Sequence, residues 1–155
     1  MEMTIEERLI AQGIEIIAPP PALANYVPTV IVNGMLYISG QIPMEAGKVK
    51  YEGILGGGVE IEDGQAAARL CAINVLMQAK AAVQDLEQLA RCIRLGGFIA
   101  STDDFKDHAL VMNGASDFMV EVMGERGKHC RAAVGCSSLP FNSSVEVEAL
   151  FQLAQ

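Results

Sequence analysis

Basic residues are scarce in this chain. Eleven Lys and Arg stand against nineteen Asp and Glu, a formal net charge of −8. No Lys/Arg cluster breaks that balance, which argues against a nucleic-acid partner and against an anionic membrane surface. Small anions respond only to local charge and are not excluded. Long apolar runs are also missing, and none reaches the ~18 residues of a membrane span. The N-terminus, MEMTIEERLIAQG, is acidic where a signal peptide is basic, and it has no apolar h-region. A cytoplasmic protein is expected. Cysteine is sparse: Cys71, Cys92, Cys130 and Cys136 form no C-x-x-C pair. Cys71 and Cys92 lie in apolar surroundings and read as core thiols. A zinc site from His129, Cys130 and Cys136 is poor, because neighbours in a strand face opposite ways. Ser-His-Asp elbows, H-E-x-x-H and histidine pairs at ligand spacing are all absent. So are internal repeats and low-complexity segments.

What remains suits one domain over residues 1–155, half of it hydrophobic. Thr4-Ile5-Glu6-Glu7 reads as a capping box opening a helix over about 4–12, with Gly13 just past its end. Pro19-Pro20-Pro21 continue Ala18 as a stiff linker over 18–21. Val27–Val32 and Met35–Ser39 are β-rich and joined by Asn33-Gly34, the strongest short hairpin signal. Gly40 offers close backbone approach, and Pro43 stops the ladder. Residues 45–58 carry five glycines and read as a mobile surface loop or a lid. No phosphate-binding or dinucleotide fingerprint fits them.

A helix is predicted from Glu62 or Asp63 to about Gln84, with Leu70, Ile73, Met77 and Ala81 as one stripe. Leu89–Ile99 is a strand weakened by Gly96-Gly97. A second helix is predicted to start at Ser101-Thr102-Asp103-Asp104, with Phe105, Ala109, Met112 and Met119 on one face and Gly124 and Gly127 at its end. His108 reads as a helix-surface histidine. The last stretch, His129–Ala154, is predicted to be a hairpin. In its second arm Val145, Val147, Ala149, Phe151 and Leu153 face a core, while Glu146 and Glu148 face the other way. Helix, hairpin, long helix, strand, helix and hairpin make an α+β domain: one mixed sheet with two long helices on one face. The other face is expected to be covered by further subunits.

Arg131, on the first arm, is the sharpest chemical candidate. Its guanidinium is always charged and forms a fork matching a carboxylate. It either pairs with Glu146 or Glu148 within the hairpin, or waits for a small carboxylate ligand. Spacing leaves both open.

Three blocks carry a resemblance: Asn25-Tyr26-Val27-Pro28 through Ser39-Gly40-Gln41-Ile42-Pro43; Asn113 with Phe118; and Arg131 through Leu139-Pro140 to Val145-Glu146-Val147-Glu148. In them the chain resembles the reactive-intermediate deaminase family, also called the YjgF, Rid or endoribonuclease L-PSP-like family. The likeness implies a chorismate-mutase-like fold and a homotrimer with clefts between subunits. It implies hydrolysis of reactive 2-imino and enamino acids to 2-keto acids and ammonia, without metal or organic cofactor. Carried across, Arg131 clamps the substrate carboxylate and the Gly40 amide, beside Ser39, helps to hold it. Tyr26 lines the cleft, Asn113 lies at or near it, and Glu146 positions the attacking water. Ala133 stands where the family has a cysteine in the substrate-binding strand, and the loop over 45–58 is longer, marking a divergent branch. The alternative is a trimer that binds small carboxylates without turnover. Ribonuclease activity, linked to some relatives, fits poorly with the acidic charge and the missing base–acid histidine pair.

Overall fold

The computed structural model describes all residues, 1–155. The first helix, α1 (Ile5–Ala11), has the capping box: the Glu7 amide donates to Thr4 Oγ1 and the Thr4 amide to Glu7 Oε2. Gly13, at φ 74°, follows its end. Ile5 and Leu9 are fully buried, and Lys80 pairs with Glu6 at 2.7 Å. The helix is docked on the body of the domain.

Strands β1 (Thr29–Val32) and β2 (Met35–Gln41) form the hairpin, with Asn33 at φ 50° and Gly34 at φ 72° in the turn. The second strand runs on through Gly40, with an irregularity between Ile38 and Gln41. The glycine-rich stretch is more ordered in its bonding than a free surface loop. It opens with a small hairpin, β3 (Met44–Glu45) and β4 (Lys48–Val49). It is then pinned to the sheet end: the Leu55 amide donates to the Ala100 carbonyl, the Thr102 amide to Leu55, and the Gly53 amide to Asn142. Leu55 is fully buried.

Helix α2 (Ile61–Val83) follows, and strand β5 spans Leu89–Ala100. The α2 face that packs inward is built mostly from small residues, Ala67, Ala68, Cys71, Ala72 and Ala79, with Val75 and Leu76 among them. The expected stripe is therefore displaced. Met77 is buried, but Leu70 and Ile73 flank the contact and Ala81 is exposed. Small side chains let this helix sit close to the sheet and to its neighbour helix. By length and composition α2 could cross a membrane, but here it is the central core helix.

Helix α3 (His108–Met123) begins later than expected. The Ser101 amide still donates to the Cys136 carbonyl, and Phe105 closes a turn on Thr102, so the chain cannot coil before residue 107. Phe105 lies outside the helix, edge-on to His108 at 5.2 Å. Strands β6 (Cys130–Cys136) and β7 (Val145–Leu153) complete the sheet.

The strand order is β1-β2-β7-β5-β6, with β6 parallel to β5 and the other pairs antiparallel. The expected terminal hairpin does not exist: β5 lies between β6 and β7. Residues 137–144, with Pro140, are longer than the roughly 2–5 residues of a hairpin loop. The β5–α3–β6 crossover places β6 parallel beside β5. Strand β7, apolar on its inner side, fills the central slot between β2 and β5, where Val145, Val147, Ala149 and Phe151 are buried. Helices α2 and α3 cover this face. The other face carries exposed Val30, Val32, Tyr37 and Val134.

Candidate functional site

Arg131 pairs in register with Leu95, a fully buried residue of the helix-covered face. Its side chain therefore emerges beneath α3. There it donates from Nη1 to Ser116 Oγ at 3.0 Å and from Nη2 to the Ala109 carbonyl at 3.2 Å. It takes part in no ion pair. Glu146 and Glu148 lie on the opposite sheet face, opposite Phe98 and Gly96. The intra-hairpin salt bridge is excluded.

Ala109, Asn113 and Ser116 follow one another at helical spacing on one stripe of α3. Half-buried Asn113 thus lies between the two residues that hold Arg131. Ala133, two residues on from Arg131, faces the same side in register with Gly97 and packs against the core. Gly97 leaves room for Met112: a Cβ there would meet its sulfur at 2.4 Å. Arg131, Ala133 and Asn113 are so brought to one place.

His129 joins them. Its Nε2 lies 2.9 Å from Ser116 Oγ and its Nδ1 2.6 Å from the Gly127 carbonyl. A carbonyl only accepts, so Nδ1 carries the proton and the neutral ring accepts from the Ser116 hydroxyl. Burial lowers the His129 pKa, and the Arg131 charge lowers it further against the pull of the Gly127 carbonyl. Neither Ser116 nor His129 was expected here. The signal was present: His129 is two residues before Arg131, and Ser116 three after Asn113. Cys130, facing the other side, donates to the Ile93 carbonyl.

The remaining candidates form a second group, on the open face. A Cβ on Gly40 would lie 2.8 Å from Glu146 Cδ, so the close approach at Gly40 is that of the Glu146 side chain. Gly96 makes the same room for Glu148, at 2.7 Å from its Oε1. Burial raises the pKa of half-buried Glu146, and the neighbouring Glu148 charge raises it further. Glu148 lines a depression of about 190 Å³ with Tyr37, Arg94 and Leu150. Ser39 donates from Oγ to the Val27 carbonyl and from its amide to Pro28. These bonds fix the segment after Tyr26, whose own side chain is 57% exposed.

The two groups do not meet within one chain. Strands β2 and β6 are three spacings apart, roughly 14 Å at the usual strand separation, and the side chains leave opposite faces.

Over residues 6–153 the chain matches the family described as "YjgF/chorismate_mutase-like, putative endoribonuclease". It is 41% identical to Protein TCP17 of Trypanosoma cruzi over 91% of this chain and 89% of that one. A crystal structure of a protein of unknown function from Agrobacterium tumefaciens is 48% identical, covers 97% of this chain and 92% of its own, and superposes with a TM-score of 0.90. Escherichia coli TdcF, solved with bound serine, is 26% identical over 87% of this chain and 93% of its own, with a TM-score of 0.63. The five-stranded mixed sheet backed by α2 and α3 is the chorismate-mutase-like fold, and the chain belongs to the YjgF family.

Proposed function

We propose that the protein hydrolyses reactive 2-imino and enamino acids to 2-keto acids and ammonia, at clefts completed between subunits of a homotrimer. One observation carries the reading. The Arg131 guanidinium is held only by a hydroxyl and a carbonyl, so its charge has no counter-ion in the protomer. A fork held in this way suits a carboxylate ligand. TdcF, with its bound serine, is a family member that holds a small molecule of that kind.

In this reading Arg131 clamps the carboxylate, Asn113 and the backbone at Ala133 line the same side, and Gly40, Ser39 and Tyr26 come from a neighbouring protomer. Separation of the two groups within one chain fits a site that a second copy completes. The open sheet face, with Val30, Val32, Tyr37 and Val134, gives such a copy an apolar surface. Glu146, kept easier to protonate by burial, takes a proton from the attacking water and returns it to the leaving amine. An imine carbon is already electrophilic, so orientation and proton transfer suffice.

A second reading, carboxylate binding without turnover, is favoured by one observation. Glu146 leaves the sheet on the face opposite Arg131, so water activation depends wholly on the neighbouring chain. The two readings separate in one experiment. Ammonia release is followed from freshly generated 2-iminobutyrate, with wild type, Arg131→Ala and buffer alone. Deamination predicts acceleration by wild type that Arg131→Ala removes. Equal rates in all three, with 2-ketobutyrate still raising the melting temperature of wild type, would leave only binding.

A further inference from the structure

We propose that Ser116 and His129 are positioning residues that hold the Arg131 guanidinium in its ligand-ready orientation. The inference rests on the reading of Arg131 as a carboxylate clamp, and it deepens that reading.

The three side chains form one directed string. Arg131 Nη1 donates to Ser116 Oγ at 3.0 Å. The Ser116 hydroxyl donates to His129 Nε2 at 2.9 Å. His129 Nδ1 donates to the Gly127 carbonyl at 2.6 Å. Each group uses the valence that its neighbour needs, and the string ends on backbone. That backbone has no slack, because a Cβ on Gly127 would come within 2.2 Å of the Met119 carbonyl oxygen. Arg131 Nη2 meanwhile binds the Ala109 carbonyl, two helical turns from Ser116. The fork is thus held at two points along α3, with its remaining N–H groups unoccupied.

The chemistry of the partners matters as much as the geometry. A carboxylate at position 116 would fix the arginine but neutralise it, and would compete with an anionic ligand. A hydroxyl fixes it and leaves the charge intact. On its own a serine hydroxyl rotates freely and could turn its hydrogen towards the arginine. The neutral His129 ring prevents this by accepting that hydrogen, which presents the oxygen lone pairs to Arg131. Long arginine side chains lose much rotamer freedom on binding, so a pre-set fork binds more tightly than a loose one. The other serine–histidine contact, Ser101 Oγ to His108 Nε2 at 3.2 Å, holds no charged group and has no comparable role.

The test uses full-length protein with 2-ketobutyrate as the probe. Calorimetry compares wild type, Arg131→Ala, Ser116→Ala, His129→Leu and the conservative Ser116→Thr. Nitrogen-15 NMR reads rotation of the Arg131 guanidinium without ligand. Loss of the Ser116 hydrogen bond to the charged guanidinium predicts about tenfold weaker binding in Ser116→Ala, and His129→Leu, which frees the Ser116 hydroxyl to turn, should weaken binding in the same direction. Ser116→Thr should restore wild-type affinity. Guanidinium rotation should be slow in wild type and Ser116→Thr, and fast in the other two. Melting temperatures of the unliganded proteins check that each folds, a difference that a purely structural role would show first. Wild-type affinity and slow rotation in Ser116→Ala and His129→Leu, with binding lost in Arg131→Ala, overturn the inference and leave the clamp standing. Unchanged binding in Arg131→Ala overturns the clamp, and the inference with it.

Discussion

Substitution of Gly114 by alanine separates two opposed effects by sign. Gly114 lies within α3, where alanine is favoured over glycine by ~1 kcal/mol on helix propensity alone. Here α3 crosses α2 so closely that a Cβ at this position would lie 2.0 Å from the Gln65 carbonyl oxygen and 2.7 Å from its carbon. Ordinary carbon contacts fall at ~3.5–4.0 Å. The obstacle is helix backbone, which has no rotamer to change, so α3 must withdraw by more than ~1 Å and loosen its packing around Met112 and Phe118. Overpacking of this kind costs ~1–3 kcal/mol, and a backbone obstacle belongs at the upper end. Against the propensity gain the net loss is about 2 kcal/mol, which for a chain of this length lowers the melting temperature by about 4–8 °C. Urea and thermal unfolding, followed by circular dichroism, read it directly. The same displacement of α3 disturbs the seating of Ala109 and Ser116 against Arg131, so 2-ketobutyrate should stabilise the variant less than wild type. A Gly114→Ala protein as stable as wild type, or more so, would refute the close-crossing reasoning.

Three further outcomes follow from contacts already described. Gly40→Ala should lower the urea midpoint through its clash with the Glu146 side chain, by about 0.5–1.5 kcal/mol if that chain is pushed off its rotamer; in Glu146→Ala the same change should cost less, and equal costs in both backgrounds would contradict the contact. The raised pKa of Glu146 means that the folded state holds its proton more tightly than the unfolded state. Stability should therefore fall as pH rises through the window above the ordinary glutamate value, and Glu146→Gln should remove that component; urea midpoints from pH 4 to pH 8, roughly one residue's titration span, test the sign. For His129 the pKa is lowered, so its contribution is present at neutral pH and lost on acidification below the ordinary histidine value; His129→Leu should flatten that part of the same profile, and an unchanged slope would count against a buried neutral ring.

The local signals in the sequence were largely sufficient for the elements. The capping box at Thr4, the Asn33-Gly34 turn and the alternation of Val145–Leu153 each act over a few residues, and each is found as expected. The mixed sheet with two helices on one face followed from element order. Strand neighbours were not legible. Alternation says which side a residue faces, but not which strand lies beside it, so β6 and β7 were joined into a hairpin although β5 separates them. The start of α3 was misplaced for a related reason. Ser101 to Asp104 carry good capping chemistry, but long-range bonds to Cys136 and Leu55 hold them at the sheet end. At the candidate site Arg131 stood out because a charge in an apolar strand is conspicuous. Ser116 and His129 did not, since a mid-helix serine and a histidine before a strand are common, and only the crossing of α3 over β6 makes them neighbours.

The central place of β7 also bears on how the chain reaches this structure. The β1–β2 hairpin and the β5–α3–β6 unit are each built from segments near one another in sequence. Neither borders the other in the sheet, because β7, which follows both in sequence, lies between them. Until Val145–Leu153 is available the two halves have no common edge, and the inner sides of β2 and β5 lack a partner. Contacts of such long sequence separation are slow to form. A nascent chain therefore cannot close this sheet before Val145–Leu153 leave the ribosome, and truncation ahead of Val145 should yield aggregating halves instead of a shortened domain.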